Sequence, residues 1–143
     1  MIVDTSAIIA VLTDEPEATH FRRLITMNLT RMSAATYVET GVVIDRLGMP
    51  EKSRLLDKFL SAAETSIEPV TTEQANIARA AYRDFGKGTG HKAQLNFGDC
   101  FSYALAIELG EPLLFMGDDF THTDVERAFN PEQPPAAAPG TST

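Results

Sequence analysis

A chain of 143 residues, 43% apolar and 22% charged, has the size and make-up of one folded domain, which excludes a fibrous repeat and a wholly disordered chain. Twelve Lys and Arg against twenty Asp and Glu leave a net charge of −8, so general attraction to nucleic acid is weak and any such role needs a local cause. A single cysteine, Cys100, excludes a disulfide framework and a thiolate metal cage and reads as a core residue.

In chain order, Ile2-Val3 predicts a short buried strand, followed by a cap at Thr5 or Ser6 and a helix of about two turns that stops at Thr13-Asp14-Glu15-Pro16. Residues 17–28 carry Ala18, Phe21, Leu24 and Ile25 at helical spacing. A strand at 31–34 and a helix over 36–47 come next, the helix ended by Gly48 and Pro50. Residues 51–63 present Leu55, Leu56, Phe59 and Leu60 on one helical face, and 66–70 form a brief strand that Pro69 places near an edge. A helix capped by Thr71 or Thr72 runs to Phe85 and ends at Gly86. Three glycines in five residues predict a mobile loop over 86–92. A helix over 96–109 with Asn96 as its cap and a strand over 111–116 complete the pattern. Residues 1–129 are expected to form the domain, and 130–143, rich in Pro and Ala, a disordered tail. Four strands alternating with helices predict an α/β fold of three layers, a short parallel sheet flanked by helices on both faces. No uncharged run approaches the roughly 18 apolar residues of a membrane span, and the start Met1-Ile2-Val3-Asp4 lacks a basic lead, so a cytoplasmic protein is expected.

Ligands of parallel sheets gather beyond the carboxyl ends of the strands. Asp4 ends the first strand, Glu39 lies in the early turns of the helix after the second, Asp99 starts a later helix, and Asp118-Asp119 follow the last strand. Four segments thus deliver acid to one side. Carboxylates so placed repel, and either one takes a proton or a cation joins them. Oxygen donors without organised His or Cys select Mg²⁺, with Mn²⁺ the alternative, and such ions support hydrolysis of a phosphodiester. Each acid alone reads equally as a helix cap or a solvated surface group.

The segments Met1-Ile2-Val3-Asp4-Thr5-Ser6-Ala7, Leu95-Asn96-Phe97-Gly98-Asp99-Cys100-Phe101-Ser102 and Leu113-Leu114-Phe115-Met116-Gly117-Asp118-Asp119-Phe120 resemble the signatures of PIN-domain ribonucleases, and among these the VapC toxins of toxin–antitoxin pairs. The resemblance spans roughly residues 1–127 and implies a PIN-like fold with a catalytic cluster of Asp4, Glu39, Asp99 and Asp119. Metal would fall to Asp4, Asp99 and Asp119 with Asp118 beside them, and Glu39 would help deprotonate the attacking water. It further implies that Ser6, less so Thr5, orients the first acid, and that Asn96 touches substrate as well as capping its helix. Gly117 departs from more distant members, which place an acid or Asn there. The implied activity is a metal-dependent endoribonuclease that inhibits translation until a VapB-like antitoxin neutralises it. Its products would carry a 5′-phosphate and a 3′-hydroxyl. A homodimer, assembling as a heterotetramer or larger with antitoxin, is also implied, and the apolar faces of the 17–28 and 51–63 helices offer surface for association. The alternative is a catalytically silent PIN-like module that binds a protein.

Other signals carry less. The run Gly86-Lys87-Gly88-Thr89-Gly90 follows a helix and lacks the ending of a phosphate-binding loop. Its Lys87, with Lys92 close behind, is the densest positive charge expected near the acids and offers an RNA phosphate contact. His20, His91 and His122 are too scattered for a metal triad.

Overall fold

In the first strand, β1 (Ile2–Val3), the two side chains point to opposite faces of the sheet, and each face has its own core. A computed structural model describes residues 1–132, so most of the Pro- and Ala-rich tail, 133–143, lies outside the described residues. Three further strands, β2 (Arg31–Ser33), β3 (Ser66–Glu68) and β4 (Leu113–Leu114), complete a parallel sheet in the order β3-β2-β1-β4. Ile2 pairs with Leu113 and Val3 with Leu114, so the two central strands end level with each other. The helices are α1 (Thr5–Leu12), α2 (Ala18–Met27), α3 (Ala34–Arg46), α4 (Pro50–Ala62), α5 (Thr72–Phe85) and α6 (Asp99–Leu109).

Ile2 and Leu113 join α5 and α6 in one core, through Ala78, Ala81, Tyr103, Ala104 and Leu105, with Phe115 and Phe120. Val3 and Leu114 pack on the other face with Ile8, Val11, Phe21, Ile25, Ile44, Leu56 and Leu60, drawn from α1 to α4. This is the expected three-layer α/β arrangement with about four short parallel strands. Because every strand runs the same way, the residues that follow β1, β2 and β4 all emerge at one end.

One local expectation is corrected, and two gain detail. The cap of α1 is neither Thr5 nor Ser6 but Asp4, whose extended backbone (φ −85°, ψ 158°) precedes the first turn and whose carboxylate accepts from Ser6 N–H. The strand ends one residue earlier than a Thr or Ser cap requires, which leaves the hydroxyls of Thr5 and Ser6 free to bond elsewhere. The 86–92 loop is tied down at its ends: Gly86 bridges Leu95 in parallel, Lys87 N–H donates to the Leu95 carbonyl, Leu95 N–H donates to that of Phe85, and the Thr89 hydroxyl closes on Gly86. Its glycines at 88 and 90 take positive φ (91° and 85°) that the tight return requires. Part of the apolar surface expected on α2 and α4 is consumed by the chain itself, with Phe21, Ile25, Leu56 and Leu60 buried around α1, while Met27 of α2 and Leu55 of α4 stay exposed. Other large apolar side chains left to solvent include Leu29, Val38, Val42 and Phe97.

Ile8 is fully buried in the core that holds α1 beneath the carboxyl end of the sheet. Ile8→Ala is expected to cost about 2–5 kcal/mol, read as a lower urea midpoint at unchanged slope.

Candidate functional site

Asp4 leaves β1 with its backbone N–H still bonded to the Leu114 carbonyl, so the sheet itself sets where its side chain begins. The carboxylate is buried and held at both oxygens. Oδ2 accepts from the Ser6 N–H at 3.0 Å and the Ser6 hydroxyl at 2.7 Å, and Oδ1 accepts from the Ser102 hydroxyl at 2.6 Å. Ser6 Oγ in turn accepts from Met116 N–H, which ties the first acid to the segment after β4. With its one proton given to Asp4, Ser102 accepts from the fully buried Thr36 hydroxyl at 3.1 Å, so a directed chain runs from α3 through α6 to Asp4.

Glu39 sits on α3, half-buried, with Oε1 accepting from the Thr5 hydroxyl at 2.6 Å. Thr5 is buried and also meets the Thr40 hydroxyl, whose own proton reaches the Thr36 carbonyl at 2.8 Å. The other carboxylate oxygen rests against the backbone of Gly98: a Cβ built there would lie 1.4 Å from Glu39 Oε2. Only a glycine leaves room for this carboxylate at the start of α6. Burial and the charge of Asp4 push the Glu39 carboxyl upward, against the Thr5 bond.

Asp99 opens α6 in a reciprocal capping arrangement. Its backbone N–H donates to Asn96 Oδ1 at 2.8 Å, while its carboxylate accepts from Asn96 N–H at 2.9 Å. The helix N-terminus and this bond favour the charged carboxylate, yet burial outweighs them, and Asp4, Asp119 and Glu39 add repulsion. The carboxyl is pushed up to about 7.

In the Asp118-Asp119 pair, Asp119 is raised by partial burial and by the charges of Asp4 and Asp118, with Lys87 drawing it back down, while both acids keep much of their surface in solvent. The fold therefore brings Asp4, Glu39, Asp99 and Asp119 into one electrostatic field, with Asp118 at its margin. Ser6 stands on Asp4, Thr5 on Glu39 and Asn96 on Asp99. Lys87 is close enough to act on Asp119, while Lys92 is exposed and joins none of the hydrogen bonds of the cluster.

The donor set is all oxygen, which suits a hard divalent cation. Among the described residues no three acidic, His or Cys side chains converge closely enough to ligate one ion together. The fit is thus to an ion held by one or two carboxylates that keeps much of its water, the habit of Mg²⁺.

Sequence reasoning passed over Ser102, Thr36 and Gly98 as working parts. Ser102 was findable, because a residue three positions after Asp99 shares its helix face. Thr36 and Gly98 act through contacts with distant segments, which spacing does not reveal.

A PIN-domain family profile matches residues 1–126. The chain belongs to the PIN-domain family. This PIN domain is 56% identical to Ribonuclease VapC28 of Mycobacterium tuberculosis, over 91% of this chain and 98% of that one. It is 50% identical to Ribonuclease VapC42 of the same organism, over 90% and 98% of the two chains. Two solved structures share the fold. The Mycobacterium tuberculosis toxin VapC20, described as cleaving the sarcin–ricin loop, superposes with a TM-score of 0.67 at 16% identity, covering 87% of this chain and 95% of its own. A toxin–antitoxin complex from Klebsiella pneumoniae gives 0.62 at 17% identity, covering 86% and 92%.

A carboxyl whose affinity for protons is raised on folding binds a proton in the native state that the unfolded chain has released. Stability therefore falls as pH rises from about 4, where unfolded Asp99 ionises, to about 7, where the native group follows. The shifts of Glu39 and Asp119 have the same sign. In metal-free buffer the melting temperature is expected to be lower at pH 7.5 than at pH 5, and Asp99→Asn to shrink that difference, as scanning calorimetry will show.

Proposed function

We propose that this PIN domain is a divalent-metal-dependent endoribonuclease, the toxin of a toxin–antitoxin pair, with Mg²⁺ as its cofactor and Mn²⁺ as an alternative. The observation that carries the reading is the meeting of four acids from four separate segments at one end of the sheet. One of them, Asp99, is so buried, with the other three acids adding repulsion, that its carboxyl is pushed up to about 7. Carboxyls perturbed in this way gather at functional sites. The 56% identity to a protein named a ribonuclease supports the same class of chemistry.

Asp4 and Asp99 would hold the metal, with Asp119 and, through water, Asp118 completing its surroundings. The bound cation supplies charge stabilisation at the phosphoryl group and a more acidic water. The chain's own residues do the rest. Ser6 and Ser102 fix both oxygens of Asp4, so its position costs no reorganisation during reaction. Glu39, held by Thr5 and raised in proton affinity, takes a proton from the attacking water. Lys87 contacts an RNA phosphate beside the cluster and Lys92 another further along, while Asn96 caps α6 within reach of the same strand. The water oxygen would bond to phosphorus as the bond to the 3′-oxygen breaks, and the departing oxygen would take a proton from solvent, leaving a 5′-phosphate and a 3′-hydroxyl.

The partner that silences such a site is a protein offering a basic side chain to the acids, and a VapB-like antitoxin fits that requirement. Assembly as a homodimer, and as a heterotetramer or larger with antitoxin, belongs to the same reading, as does action in the cytoplasm. No helix among the described residues is long and apolar enough to cross a membrane. No observation favours a catalytically silent module.

Purified protein with Mn²⁺ is expected to cut total cellular RNA at discrete positions, mapped as new 5′ ends. Asp4→Asn and Asp99→Asn should each lower the rate at least about a hundredfold while leaving the far-ultraviolet circular dichroism unchanged. Equal cutting by both variants would reject the assignment. Gly98→Ala tests Glu39 without touching it. The helical backbone at 98 (φ −63°, ψ −40°) accepts alanine, and the obstacle is only the end of a flexible side chain, so the urea midpoint should move little. The cleavage rate should nevertheless fall about tenfold or more as the carboxylate leaves Thr5.

A further inference from the structure

Phe97 is out of place by ordinary rules of burial. Its ring is 76% exposed, among the most exposed large apolar side chains of the described residues, although two residues on the chain is packed into the core side of α6. The ring is not loose. It stands edge-to-face on Phe101, centroids 5.0 Å apart and planes at 87°, an i and i+4 pair that fixes its orientation while leaving it to solvent. Its location is set by its neighbours: the next residue, Gly98, lies against the Glu39 carboxylate, and the one after that is Asp99. The residue that carries this oriented, exposed ring is thus at most about 7 Å of backbone from Asp99 of the acid cluster. Lys87, close enough to act on Asp119, adds a cation beside the same cluster.

Single-stranded or looped RNA alternates anionic phosphates with planar bases, and sites that grip it pair cations with exposed rings. We propose that Phe97, braced by Phe101, is the platform on which an unpaired base next to the scissile phosphate stacks, and so a substrate-binding residue of this PIN domain. The proposal rests on the ribonuclease reading. It identifies the substrate as RNA whose cleaved segment is unpaired, because a base in a duplex has both faces covered by its neighbours. Stacking acts on binding, not on bond breaking, so its loss falls on KM.

The experiment uses the full chain with Mn²⁺ and total bacterial RNA, followed by a synthetic oligonucleotide copied from the strongest site that the wild type cuts. Phe97→Leu keeps an apolar side chain but removes the ring face. It is expected to raise KM about five- to a hundredfold with kcat within about threefold, and Phe97→Trp to recover most of that loss. An oligonucleotide made abasic at the nucleotide flanking the cut should slow the wild type to the level of Phe97→Leu and slow Phe97→Leu no further, the signature of a shared contact. Unchanged KM in Phe97→Leu, or abasic and protein effects that simply multiply, would overturn the proposal. So would a Phe97→Leu variant that cuts normally but changes its elution on gel filtration, since the ring would then belong to a protein interface. A wild type that makes no ends sensitive to Asp99→Asn sinks the ribonuclease reading and this proposal together. A wild type and Phe97→Leu that cut alike sink this proposal alone.

Discussion

Repulsion among carboxylates is the constraint around which this protein is arranged. Asp4, Glu39, Asp99 and Asp119 come from four segments, and a parallel sheet with level strand ends brings them to one place. Three of the four have raised proton affinity, with burial the largest cause and mutual charge adding to it. What makes the cluster tolerable is a set of short polar groups beneath it. Ser6 and Ser102 serve Asp4, Thr5 serves Glu39, and the Asn96 amide serves Asp99. Each donates to a carboxylate oxygen, and the hydroxyls among them are buried or partly so, where an unpaired donor or acceptor would itself be costly.

That support is distributed so that no acid depends on its own element alone. Asp4 belongs to the end of β1, yet its donors come from α1 and α6, and the residue behind Ser6 is Met116 after β4. Glu39 belongs to α3, yet it is held by α1 and by the backbone just before α6. The two cores on either side of the sheet are therefore coupled through the site. Packing on the α5–α6 face sets Ser102 and Gly98, while packing on the opposite face sets Thr5 and Ser6.

The sequence disclosed most of the architecture because its signals are local. Apolar spacing in α2, α4 and α5, the Thr71 cap and the brief strands between helices all depend on near neighbours. The acids at the ends of β1 and β4 were readable for the same reason, since chain direction in a parallel sheet says which end they occupy. Long-range closure was not readable. The 86–92 segment reads as a loop from its glycines, and only the bridge to Leu95 shows how its ends are tied down. The cap of α1 moved to Asp4 because a strand of two residues ends sooner than propensity suggests. Ser102 and Thr36 looked like ordinary polar residues of their helices, and their bond to one another joins positions 66 residues apart. Part of the apolar surface of α2 and α4 is covered by α1, while Met27 and Leu55 on those helices, and Phe97 before α6, stay in solvent.

The contact between Gly98 and Glu39 has a bearing on how such chains diverge. A side chain at 98 and a full-length acid at 39 compete for the same volume, so the two positions form one heritable unit. A drift to alanine at the first leaves the fold standing but moves the carboxylate, so the site keeps its acid in place only alongside a shorter acid at the second, and the reverse order of events passes through an intermediate with an empty space where the carboxylate stood. Lineages should therefore change both or neither.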